Sequence, residues 1–190
     1  MRLFIVLLLL SSNIYAMDCS KHPIYCQILK NKPSINKKYA MRLSNIIYRM
    51  HKKYHIPSRI FTAILMQESG YSLEAKGCHK GILQRDPVCN DKSYIADPIL
   101  CMGNVETKVC TDFGISQIYY KTAKRWKFDI DKLTTDLEYS VEAGAKVLHD
   151  IMERFEAKDN DFWVRYNCGF RSTTKRDTCQ IYKKLVERYK

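Results

Sequence analysis

Apolar side chains that return at three- and four-residue steps restrict this chain more than any other feature, because a helix with one buried face reads that way. Between Tyr39 and Tyr54 the series is Met41, Leu43, Ile46, Ile47 and Met50, set among lysines and arginines. Pro57 and Ser58 open a second helix with the stripe Ile60, Phe61, Ile64 and Leu65, and Gly70 is its stop. Leu137, Val141, Gly144, Leu148, Ile151, Met152 and Phe155 mark a long helix over residues 136–156, and Ile181, Leu185 and Tyr189 give the apolar side of a last helix over 177–189. Residues 111–118 read as a turn or short strand leading into a helix through Trp126. No internal repeat and no alternating strand series interrupts this pattern, so the fold class is mainly α, with room for a small β-hairpin.

Eight cysteines set the second constraint, and the N-terminus gives them a compartment. Arg2, the apolar run Leu3–Leu10 and the polar stretch ending at Ala16 have the layout of an export signal over residues 1–16, with an uncleaved anchor as the alternative. A cut after Ala16 leaves 174 residues, 17–190, as one domain that keeps every cysteine. No later segment is apolar enough to cross a membrane, so the expected location is periplasmic or secreted. In an oxidising compartment the cysteines read as disulfides, and the simplest pairing is by near neighbours: Cys19/Cys26, Cys78/Cys89, Cys101/Cys110 and Cys168/Cys179. No two cysteines are closer than seven positions, which disfavours a zinc site. Four of them lie in residues 76–111, where Gly77, Gly81, Pro87 and Gly103 break any period, so this stretch reads as a disulfide-pinned loop insert.

Thirty-two Lys and Arg against 20 Asp and Glu leave +12, so a polyanionic partner is expected. Export, disulfides and the lack of a nucleic-acid-binding motif argue against nucleic acid. His51 and His55 flank two lysines and read as a solvated basic face. Asp129, Asp131 and Asp136 lack the glycine and terminal glutamate of a calcium loop and belong to a turn and a helix start. No Gly-rich phosphate cradle and no G-x-S-x-G elbow is present, so nucleotide and serine-hydrolase chemistry are unsupported, and neither metal nor cofactor is expected.

Glu68 stands out because it lies three residues after Leu65, four after Ile64 and seven after Phe61, at the end of the apolar stripe. Desolvation there disfavours the charged form and keeps the carboxyl protonated near neutrality, as a general acid requires. Position alone leaves two plain alternatives: a helix-end Glu reaching solvent, or a buried Glu neutralised by Lys or Arg.

Four segments in order add to this reading: Gln67-Glu68-Ser69-Gly70, Asp112-Phe113-Gly114-Ile115-Ser116-Gln117-Ile118, Val141-Glu142-Ala143-Gly144-Ala145 and Tyr166-Asn167-Cys168-Gly169. Together they resemble the successive motifs of the soluble lytic transglycosylase family, over residues 39–190. The resemblance implies a lysozyme-like α fold, Glu68 as the acid/base, and Ser69, Gln117, Tyr166 and Asn167 as residues that bind or orient substrate. It also implies cleavage of the MurNAc-β-1,4-GlcNAc bond of peptidoglycan, closing a 1,6-anhydro ring without a cofactor. Two features depart from the pattern. Cys168 stands where a small residue is usual, and Gly114 follows Glu68 by 46 positions, a longer spacer than the family's. Thr111-Asp112-Phe113-Gly114-Ile115-Ser116-Gln117-Ile118 also resembles a segment of animal-type lysozymes in which the Asp assists hydrolysis. Asp112 is therefore either a second carboxylate or, as we favour here, an Asp that caps a turn. The runner-up function is accordingly a muramidase that uses Asp112, and the alternative from another class is a noncatalytic, basic wall-binding or assembly protein. Partners implied are peptidoglycan glycan strands and, at family level, an envelope-spanning secretion, conjugation or pilus machine.

Overall fold

The computed structural model describes residues 18–80, 108–155, 160–169 and 177–190. Pro23, whose fixed φ suits a first helical position, starts α1 (Pro23–Asn31), and the Cys19–Cys26 disulfide clips the preceding turn to it. This helix is absent from the sequence reading because its apolar signal, Ile24, Tyr25 and Ile28, spans barely one turn. Asn36 caps α2 (Lys37–Tyr54) by accepting from the Tyr39 amide at 3.0 Å. The helix ends on His55 in the left-handed region, where the His51 Nδ1–H donates to the Ile56 carbonyl at 2.7 Å. α3 (Ser58–Ser69) follows Pro57 and stops at Gly70, φ +59, as the sequence predicts.

The insert region differs from expectation at both of its ends. β1 (Lys76–Lys80) and β2 (Lys108–Phe113) pair antiparallel, and β3 (Ile118–Tyr119) adds to β2, so the expected hairpin is a three-stranded sheet of order β1-β2-β3. The disulfide pairing is corrected with it: Cys78 bonds Cys110, because the β1/β2 register sets these two residues opposite each other. That excludes the Cys78/Cys89 and Cys101/Cys110 bridges; Cys89 and Cys101 lie outside the described residues, as do residues 1–16.

Beyond the sheet come α4 (Tyr120–Trp126), α5 (Ile130–Thr135), capped by Asp129, and the long α6 (Leu137–Phe155). The Asp136 carboxylate accepts from the Tyr139 amide at 3.1 Å at the start of α6, so the aspartates of this stretch serve turns and helix starts. A single 3-10 turn, Phe162–Val164, leads into α7 (Arg165–Cys168), which the Cys168–Cys179 disulfide joins to α8 (Asp177–Glu187).

The core is one cluster that draws on α1, α2, α3, α6, α8 and the turn after β2, with Trp163, Tyr71 and Phe61 among its largest fully buried members. The face of α8 is corrected. Ile181 is exposed, while Cys179, Tyr182 and Val186 are buried. These three are three and four residues apart, and the bridge from Cys179 turns them inward. The fold is the mainly α, lysozyme-like one expected. Among the described residues no helix is long and apolar enough to cross a membrane.

Candidate active site

Glu68 occupies the last turn of α3, and the chain that follows is tied down from two sides. The Lys32 ammonium donates to the Gly70 carbonyl at 2.7 Å, and the Tyr39 hydroxyl donates to the Tyr71 carbonyl at 2.9 Å. The carboxyl borders a cleft of about 430 Å³ whose walls include Asp112, Gln117, Tyr119, Tyr166 and Asn167. It is neither on an open helix end nor, among the described residues, paired with Lys or Arg. Its partner is Tyr182, whose hydroxyl donates to Glu68 Oε1 at 2.5 Å.

The Glu68 carboxyl is raised from 4.5 to about 7: burial drives the rise, the Tyr182 hydroxyl opposes it in part, and the negative charge of Asp112 adds to it. The Tyr182 hydroxyl is itself pushed well above its ordinary value, first by burial and then by the charge of Glu68, so it stays a donor. With Oε1 accepting that bond, the acidic proton belongs on Oε2.

This shift has a consequence for stability. The folded value lies above that of the free side chain, so the folded state holds the proton more firmly than the unfolded one. The stabilisation is complete below pH 4.5 and is lost as pH rises through about 7, by at most about 3 kcal/mol. The wild-type chain should accordingly lose thermal stability across that window, and Glu68→Gln should flatten this part of the profile. Superimposable melting profiles for the two proteins would refute the shift.

The turn between β2 and β3 collects the other motifs. Gly114 (φ +76) and Gln117 (φ +44) both lie in the left-handed region, and the turn is stapled by bonds from three helices. Ser69 of α3 places its hydroxyl 2.8 Å from the Ile115 carbonyl; Ser140 of α6 accepts the Ile115 amide at 3.2 Å and, through its carbonyl, the Ser116 hydroxyl at 2.9 Å; Tyr166 of α7 donates to the Ser116 carbonyl at 2.9 Å. Gly144 lets α6 approach this turn, since a Cβ there would lie 2.3 Å from Ser116 Oγ. Glu142 serves a different contact, accepting from Lys53 and Tyr54 and so joining α6 to α2.

Gln117 lines the cleft with its amide group fixed, since Nε2 donates to the carbonyls of Gly114 and Ala75 at 2.9 and 3.1 Å. Ser69 is not among the residues that line the cleft. Its hydroxyl is turned toward the carbonyls of Leu65 and Ile115, which makes it an orienting contact between α3 and the turn.

Asp112 lies in a strand, one residue before the strand's end. It belongs to β2, where an irregularity in the register with β1 leaves Thr111 without a partner in the ladder, and such bulges re-aim the neighbouring side chain. The Thr111 hydroxyl donates to Asp112 Oδ2 at 2.7 Å, and Gly77, opposite Asp112, keeps the space beside it open: a Cβ at 77 would lie 3.0 Å from that same oxygen. The structure thus gathers Glu68, Asp112, Gln117, Tyr166 and Asn167 at one cleft and adds residues to which the sequence assigns no role in a site: Thr111, Tyr119, Thr122, Val147 and, through Glu68, Tyr182. Tyr182 follows the bridged Cys179 by one helical turn, the spacing that marks it as inward-facing. Among the described residues no group of three or more His, Cys, Asp or Glu converges as a metal site would require.

Comparison with known families adds one match, the transglycosylase SLT domain, over residues 45–184. Neither the curated proteins nor the solved structures contain a match. The matched span includes α3 with Glu68, the β2–β3 turn, α6 and the Tyr166-Asn167 segment, and it ends in α8 just past Tyr182. This chain therefore belongs to the transglycosylase SLT domain family, whose members are glycan-cleaving lytic transglycosylases acting on peptidoglycan.

Proposed function

We propose that this protein is a peptidoglycan lytic transglycosylase that cleaves the MurNAc-β-1,4-GlcNAc bond and releases a 1,6-anhydro product. The observation that carries the reading is Glu68, positioned in a cleft by the Tyr182 hydroxyl and kept protonated near neutrality by its burial. Glu68 gives that proton to the glycosidic oxygen as the bond breaks, and the substrate's N-acetyl group assists at the anomeric carbon. The same carboxylate then removes the proton of the 6-hydroxyl, whose oxygen closes the ring. No water is consumed, and Glu68 ends as it began, protonated. Gln117, Tyr166 and Asn167 line the path of the strand. The apolar run and polar stretch of residues 1–16, together with the disulfides Cys19–Cys26, Cys78–Cys110 and Cys168–Cys179, support action outside the inner membrane. There the net charge of +12 suits a wall bearing peptide carboxylates.

One observation favours a second reading. Asp112 stands on the wall of the same cleft, and its charge acts on Glu68. In a retaining hydrolase a second carboxylate about 5–5.5 Å from the acid supports the positive centre while water completes the reaction. Mass spectrometry of digested sacculi separates the two. Products one water lighter than the reducing sugars are expected, with Asp112→Asn retaining most of the rate. Reducing ends, and a loss of about two orders of magnitude or more in Asp112→Asn, would instead establish the hydrolase.

The acid also sets a pH profile. Turnover should be level below about pH 7 and fall roughly tenfold per unit above it, as Glu68 loses its proton. A rate still rising well above that value would exclude Glu68 as the acid.

A further inference from the structure

We infer that Tyr119 is a stacking platform for an N-acetylhexosamine ring of the bound strand, on the wall of the cleft formed by β3 and α4; this rests on the glycan-cleaving reading given above. The β2/β3 register sets Tyr119 directly opposite Asp112. Residues opposed in an antiparallel pair project to the same side of the sheet, so the tyrosine ring and the carboxylate stand together on the cleft face, and both line the cleft. Tyr119 is 36% exposed. It is also steadied: Tyr120 meets it edge to face, with ring centroids 4.8 Å apart and planes at 68°. Thr122 lies three positions on, in α4, and lines the same cleft.

A fixed, half-open aromatic ring beside a hydrogen-bonding group is the arrangement that a β-1,4-linked pyranose recognises. Its ring substituents are mostly equatorial, so each face is a flat array of C–H groups that packs on an aromatic ring, while its hydroxyl and acetamido groups at the rim seek polar partners. Among the described residues of this cross-strand row, Gly77 and Asp112 offer no such surface and Tyr119 does.

The test is binding of soluble, peptide-free glycan strands to the full chain in a Glu68→Gln background, alongside turnover in the wild-type background. Tyr119→Ala should weaken binding about tenfold and raise KM by a similar factor, with kcat within about twofold. Tyr119→Phe and Tyr119→Trp should bind like the parent, and the indole emission of the latter should shift on titration. Melting temperatures of all variants are compared at the same pH; because the Phe and Trp variants keep the ring, a loss of affinity confined to Tyr119→Ala and Tyr119→Leu, without a matching fall in melting temperature, reads as loss of the platform. Unchanged affinity in Tyr119→Ala, or equal losses in Tyr119→Phe and Tyr119→Ala, overturns the platform and leaves the role of Glu68 standing. Strands that the wild type cleaves but Glu68→Gln does not bind also overturn the platform. A wild-type protein that neither binds nor cleaves them overturns both.

Discussion

Glu68→Gln should reduce release of soluble glycan from sacculi by about three orders of magnitude, within the range that general acid catalysis contributes. The substitution is nearly isosteric. The amide oxygen that replaces the carboxylate still accepts the Tyr182 hydroxyl bond, so the cleft keeps its shape while the transferable proton disappears. The loss should therefore appear in kcat, because strand contacts from Gln117, Tyr166 and Asn167 remain. Two further measurements give the result its meaning. Sacculus binding should be retained, which separates loss of chemistry from loss of fold. Above about pH 7 the variant should be more stable than the wild type, since it no longer carries a carboxylate forced to ionise beside Asp112 in a poorly solvated site. A variant that still releases glycan at the parental rate would remove Glu68 from the mechanism. A wild-type protein with the binding but without the release would be the noncatalytic wall-binding protein.

The periodic helices are legible because their pattern is local. In α2, α3 and α6 the apolar spacing, the Pro-Ser start and the Gly70 stop each act within one or two turns, and the observed ends lie within about two residues of those expected. Glu68 can be singled out for the same reason, since its place on the stripe is fixed by Phe61, Ile64 and Leu65. What sequence spacing misjudges depends on distant pairing. Cys78 meets Cys110 across a ladder 32 positions apart, and nothing near either cysteine announces that register. On α8 hydropathy points the apolar Ile181 inward, whereas the bridge to Cys168 and the partnership with Glu68 bring the more polar Tyr182 there. Asp112 reads as a turn residue because Asp before an aromatic-Gly pair suits a turn. The bulge beside it in the wall of the cleft belongs to the β1/β2 pairing, which residues 76–111 do not reveal by period.

Gly114→Ala should be the most damaging of the single-methyl changes, costing about 3 kcal/mol or more, enough to consume a large part of a small domain's stability. At φ +76 the backbone here is in the region that L side chains rarely adopt, which accounts for about 1 kcal/mol on its own. The larger part is steric. A Cβ at this position would stand 2.0 Å from the Leu133 carbonyl oxygen and 2.3 Å from Ser140 Oγ. Neither neighbour can give way cheaply: Leu133 is fully buried in α5, and Ser140 is buried at the start of α6 and already accepts the Ile115 amide. Relief would have to come from the turn itself. Moving it would loosen the bonds from Ser69, Ser140 and Tyr166 together, and with them the placement of Gln117 against the cleft. The expected result is a fall in melting temperature of about 10 °C or more, accompanied by loss of turnover in whatever fraction stays folded. Gly169→Ala makes the control, because that glycine also has a positive φ, +77, but a Cβ there would meet nothing within 4 Å. If the two variants melt alike, backbone conformation alone governs both sites, and the close approach of α5 to the β2–β3 turn does not hold the cleft together.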